Sequence, residues 1–159
     1  DTYFRVDSGT GITTKPTQPA FSVNKGNTNQ TSFAINTDVT VTFDTEKFDI
    51  GSNFDLTNNR FAAPVTGKYH LSLCIRLNNL DSAATYYIPM ITTSNQIFRF
   101  IFDPDFGQDQ AYWASTISVL ADMDAGDFAS VTVNQGNGAS QTTVSGDDDY
   151  TFFTGYLVC

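Results

Sequence analysis

FDTEKFDIGSNFDLTNNRFAAPVTGKYHLSL, residues 43–73, carries a spaced skeleton of Phe43, Asp49, Phe54, Phe61, Gly67, Tyr69, Leu71 and Leu73. Past Gly67 the apolar side chains fall on every second position. Tyr69, Leu71, Leu73, Ile75 and Leu77 alternate with His70, Ser72, Cys74 and Arg76. That period of two marks a strand with one buried face. Upstream, Val39, Val41 and Phe43 alternate with Thr40 and Thr42 in the same manner. Working outward, the pattern predicts further strands near 84–92, 96–102, 112–121, 128–134 and 150–158. Turn-forming clusters separate them: NNLDS, TTSN, DPDFGQD, DMDAGD, NQGNG and SGDDD. No helical period of useful length interrupts the series. About ten short antiparallel strands make an all-β, two-sheet sandwich or jelly roll.

The totals agree with one such domain. At 159 residues the chain is long enough to bury roughly two-thirds of its unfolded surface. Charged residues are 16% of the sequence, against 14 Phe and 7 Tyr. The remainder is rich in Thr, Ser, Asn and Gly, which suits strands joined by polar turns. A net charge of −9 argues against nucleic acid as a partner, because phosphate recognition needs clustered Lys and Arg. No run approaches the ~20 apolar residues of a membrane helix, so membrane insertion is not expected. The chain starts at Asp1 rather than Met, and a longer parent is expected. Residues 1–19 read as a linker or fibre-shaft end. They hold one short alternating piece around Tyr3 to Val6, then Pro16 and Pro19, which favour an extended connection. The domain is then 20–159. Cys74 and Cys159 are too few for a disulfide framework and lack metal-ligand spacing. Cys74 is expected to be a buried free thiol.

The skeleton resembles the signature of the complement C1q globular head, in the tumour-necrosis-factor superfamily. That signature is Phe, five residues, Asn or Asp, four residues, an aromatic, six residues, Phe, five residues, then Gly-x-Tyr-x-Phe-x-aromatic. Every spacing is kept here, and only Leu71 and Leu73 depart, each standing where the family has an aromatic. The lead-in PTQPAFSV, MDAGDFASVTV at 123–133 and TFFTGYL at 151–157 also resemble family segments, in the family's order. The resemblance therefore covers about residues 19–159. It implies an antiparallel jelly roll that assembles as a homotrimer, with one sheet packed on the protomer core by one face and on neighbouring subunits by the other.

That implied architecture divides residues by parity. With Tyr69, Leu71 and Leu73 facing the core, His70, Ser72 and Cys74 face the trimer interface. In the last strand, Phe153, Gly155, Leu157 and Cys159 are expected on the interface side, and Phe152, Tyr156 and Val158 inward. Both cysteines on one face would make an intersubunit disulfide conceivable. His70, the only histidine, would give an interface a pH-sensitive group.

Two ligand readings follow from the loops. Asp103, Asp105, Phe106, Tyr112 and Trp113 are a candidate carbohydrate-stacking surface, since rings suit sugar faces and carboxylates suit hydroxyls. Calcium wants several carboxylate oxygens. Some relatives bind it near the trimer apex, which makes Asp147, Asp148 and Asp149 candidate ligands. Catalysis is not expected: the lone His70 sits in a strand, and no GxSxG, phosphate-cradling loop or His/Cys metal cluster is present. The polar style resembles C1q-like domains of phage and bacterial surface proteins. It implies a non-enzymatic module of a larger fibre or virion structure, used for display, capping or host-surface attachment. The alternative is a secreted lectin-like or cytokine-like protein binding glycans or receptors. Localisation is accordingly expected at a virion surface or extracellular.

Overall fold

The computed structural model describes residues 4–31 and 33–159; of the alternating piece expected from Tyr3, it describes Phe4 onward. The strands are β1 (Arg5–Val6), β2 (Thr13–Thr14), β3 (Ala20–Asn24), β4 (Asp38–Thr40), β5 (Thr45–Ile50), β6 (Phe54–Asp55) and β7 (Arg60–Ala62). They continue as β8 (Gly67–Leu80), β9 (Tyr86–Thr93), β10 (Ile97–Arg99), β11 (Gln110–Met123), β12 (Phe128–Gly136), β13 (Thr143–Val144) and β14 (Phe152–Leu157). Among the described residues there is no helix.

Two antiparallel sheets pack face to face. One runs β10-β9-β12-β7-β6, with β4 also on β12. The other runs β11-β8-β14-β3-β5, with β13 also on β8. The chain crosses repeatedly between sheets, as a jelly roll requires. β1 and β2 form a separate hairpin outside both sheets.

Every member of the opening skeleton has a physical job. Phe43, Phe54, Phe61, Tyr69, Leu71 and Leu73 are all buried in one core cluster. Phe21 and Phe153 join them, with ring centroids 4.6 Å apart for Phe21–Phe61 and 5.0 Å for Phe21–Phe153. Such pairs add about 0.5–1.5 kcal/mol each beyond area burial. Asp49 accepts the Phe54 amide at 2.8 Å and so closes the turn between β5 and β6. At Gly67 a Cβ would lie 2.5 Å from the Cys159 carbonyl oxygen, so only glycine lets the chain end pass there.

Registers set the two ends of the sandwich. Gly67 of β8 pairs with Met123, and Leu157 pairs with Tyr69, so the chain entry at Pro19 and the C-terminus share one end. Leu157 N donates to Pro19 O at 3.0 Å. Leu80, the 103–109 loop and the 137–142 loop lie at the opposite end, the apex.

Candidate functional site

The site is the face of the β11-β8-β14-β3-β5 sheet that points away from the core. Cross-strand partners in an antiparallel sheet point to the same side, so the register can be read in rows. Leu120, His70, Tyr156, Ala20 and Ile50 form one continuous row across all five strands. The next row toward the apex is Ser118, Ser72, Thr154, Ser22 and Phe48. Above it stand Thr116, Cys74, Phe152 and Asn24, then Ala114 with Arg76, and Tyr112 with Asn78.

The basal row is wide and, His70 apart, apolar. Leu120 is 59% exposed and Tyr156 is 48% exposed. Between them His70 Nε2 lies 2.8 Å from Ser118 Oγ, and its ring sits 5.1 Å from that of Tyr156. Lys68 and Asp122 close the row below at 2.6 Å. Toward the apex Arg76 lies over the Tyr150 ring at 4.4 Å and reaches Asp147 at 3.5 Å.

His70, Ser72 and Cys74 therefore share the open face. Cys74 is half-buried there rather than enclosed in the core, which corrects the expectation of a buried thiol. The last strand has the opposite parity to that expected. Phe153 pairs with Leu73, Gly155 with Leu71 and Leu157 with Tyr69, and all three point to the core side. Phe153 is fully buried. Phe152, Thr154 and Tyr156 take the open face instead. The physical reason is Gly155: a Cβ there would stand 2.6 Å from Phe21 Cε1 and 2.7 Å from Leu71 Cδ2. The missing side chain makes room for a core ring, not for a neighbouring subunit. Cys159 lies past the strand end, exposed beside Gly67, with both thiols free.

The proposed carbohydrate platform is not one surface. Trp113 pairs with Leu77 and points to the core side, whereas Tyr112 pairs with Asn78 on the open face, 70% exposed. Phe106 and Phe102 stack on Trp113 at 5.3 and 5.4 Å, both at 28°. The indole thus stacks with two rings of its own chain, while Trp113 and Phe106 each keep an exposed edge. Phe102 stacks in turn on Tyr87 at 5.4 Å, and the four rings close the sandwich edge beside β11. Asp103 accepts the Asp105 amide inside its own turn. Sequence reasoning missed that alternation along β11 separates Tyr112 from Trp113.

Asp147, Asp148 and Asp149 each place one carboxylate oxygen within 4.8 Å of the others. Arg76 pairs with Asp147 at 3.5 Å and Lys47 with Asp148 at 3.0 Å, so two of the three charges already face cations. Among the described residues this is the one acidic group close enough to suggest a metal. Asp127 holds its turn, accepting Asn95 Nδ2 at 2.7 Å and the Asp124 amide at 2.8 Å. At the apex Asp109 accepts the Ser82 amide, the Ser82 hydroxyl and Gln141 Nε2. Its carboxyl is held below the usual range, first by Gln141 and then by Ser82.

An antiparallel jelly roll with one broad sheet face left open defines the class. The C1q domain model matches residues 20–158, and the chain belongs to the C1q domain family. The fold is similar to that of the globular domain of zebrafish complement 1qA protein, with a TM-score of 0.61 and 17% identity over 89% of this chain and 98% of that one. It is also similar to murine APRIL at pH 8.5, with a TM-score of 0.62 and 13% identity over 89% of this chain and 99% of that one. C1q and tumour-necrosis-factor-like domains are typically trimeric, non-enzymatic recognition modules.

Proposed function

We propose that this chain is a non-enzymatic, homotrimeric C1q-like module of a larger fibre or virion surface protein, used for display, capping or host-surface attachment. The observation that carries the trimer is the apolar row from Leu120 to Ile50 on the open sheet face. Neighbouring copies cover that row, and the stacked, partly exposed aromatic edge around Trp113 offers each copy a second flank. Placement at a fibre end is supported by the shared end for chain entry and exit, which leaves the apical loops free. Loops on a rigid scaffold are where recognition is built, and a threefold module presents each of them three times.

Sedimentation equilibrium tests the assembly: the expected mass is three times the 17.4 kDa of the chain. A 17.4 kDa species at micromolar concentration would overturn it. Electron microscopy of particles labelled with an antibody to this domain tests the placement. Label at fibre tips is expected. Its absence from particles, with the protein recovered free outside cells, would favour a secreted glycan- or receptor-binding protein.

A further inference from the structure

We propose that the β1–β2 hairpin packs against its counterparts in two further copies of this chain, forming a three-hairpin collar that continues the threefold interface below the jelly roll. The proposal rests on the trimer reading above. The hairpin is well specified: Asp7 Oδ1 accepts the Gly9 amide at 3.0 Å, the Thr10 amide at 2.8 Å and the Thr10 hydroxyl at 3.0 Å. Gly11 N donates to Asp7 O, and Asp7 N to Ile12 O, closing the ribbon. Yet among the described residues its large apolar side chains stand uncovered. Phe4 is 59% exposed, Val6 56% and Ile12 59%. A two-stranded ribbon with no further packing is at best marginally stable in water.

The distribution of those three side chains selects the partner. Val6 pairs with Thr13, so Phe4 and Val6 lie on one face. Ile12 lies on the other, with Arg5 and Thr14. Docking on a single flat partner would leave one apolar face in water. A position between two neighbours covers both, and a threefold assembly gives every chain two neighbours. Continuity points the same way. Gln18 donates its side-chain amide to Leu157 O, which ties the lead-out to β14. A groove lined by Thr13, Lys15, Gln18, Ala20, Ile50 and Tyr156 then joins the hairpin foot to the apolar row of the open face. Pro16 and Pro19 stiffen the connection.

Hydrogen exchange on the full chain tests this, with a synthetic peptide of residues 1–19 as the unprotected reference. Hairpin amides are expected to exchange at least about tenfold more slowly in the trimer than in the peptide. The double variant Val6→Asp, Ile12→Asp should return them to the peptide rate and lower the concentration stability of the trimer, with jelly-roll amides unchanged. A trimer whose hairpin exchanges as fast as the peptide overturns the collar and leaves the trimer standing. Protection that survives the double variant also overturns the collar. A monomer overturns both readings.

Discussion

Replacing Gly155 with alanine separates a core role from an interface role. The added Cβ would lie 2.6 Å from Phe21 Cε1, 2.7 Å from Leu71 Cδ2 and 3.0 Å from Phe21 Cζ. All three distances are shorter than an ordinary van der Waals contact, so a neighbour has to move. Phe21 has little freedom to do so, being stacked on Phe61 at 4.6 Å and packed by Phe54 at 5.2 Å and Phe153 at 5.0 Å. Overpacking of this kind costs about 1–3 kcal/mol. Removing a strand glycine's backbone entropy returns about 0.5–1 kcal/mol. The expected net loss is about 1–2 kcal/mol, and for a chain of this size that lowers the thermal midpoint by roughly 2–8 °C. Urea and thermal unfolding at fixed protein concentration measure it. The combination Phe21→Leu with Gly155→Ala sharpens the test, because a smaller side chain at 21 makes room for the methyl. The double variant should lose about 1 kcal/mol less than the sum of the two single losses. Wild-type stability for Gly155→Ala, or strict additivity with Phe21→Leu, would refute the core placement.

Leu120→Glu puts a carboxylate at the β11 end of the row assigned to neighbouring copies, where an unpaired charge is costly to bury. The variant should sediment at 17.4 kDa with an unchanged circular dichroism spectrum, and a persistent trimer would remove β11 from the interface. Lys25 is fully buried, with Nζ 2.7 Å from Thr42 Oγ1 and 3.7 Å from Asp44, and desolvation pushes its pKa down. Such a lysine stabilises the fold less below its folded pKa than above 10.5, so the urea midpoint of the wild type should rise relative to that of Lys25→Met between pH 7 and pH 10, and parallel pH profiles would refute the depressed pKa. Tyr69 and Tyr87 behave oppositely. Burial raises both above 10.0, so their contribution is complete below pH 10 and is lost as pH rises beyond it. Thermal midpoints should fall from pH 10 upward in step with tyrosinate absorbance, and the fall should lessen in Tyr87→Phe.

The fold was legible because its determinants are local and periodic. Alternation from Tyr69 to Leu77 locates the long central strand, and the structure extends it to Gly67–Leu80. The strand expected at 112–121 is observed as Gln110–Met123, and that expected at 128–134 as Phe128–Gly136. Gly67 and Asp49, read first as members of a pattern, turn out to answer for a close backbone passage and a capped turn. The lead-in was less legible. Residues 1–19 read as a linker or fibre-shaft end, and the hairpin over residues 5–14 within them escapes that reading, because Asp7 and Gly11 build a turn whose hydrogen bonds no period-two pattern reveals.

The site was harder to read because it depends on which face each strand presents, and one residue of register reverses that. In β8 the polar and apolar positions differ enough to fix the face. In TFFTGYL two phenylalanines stand side by side, so alternation alone permits either Phe152 or Phe153 to point inward. The deciding contact is non-local: Phe21, more than a hundred residues upstream, lies over Gly155 and requires the core side to be empty there. The same limit explains Trp113. Its neighbours in sequence suggest a sugar-stacking ring, but Phe102 and Phe106 reach it from the loop that joins the two sheets. Tyr112, one residue away, is left on the opposite face by pleating. The open face thus owes its composition to pairings across the sheet. Its basal row assembles from five strands, each of which supplies a single residue.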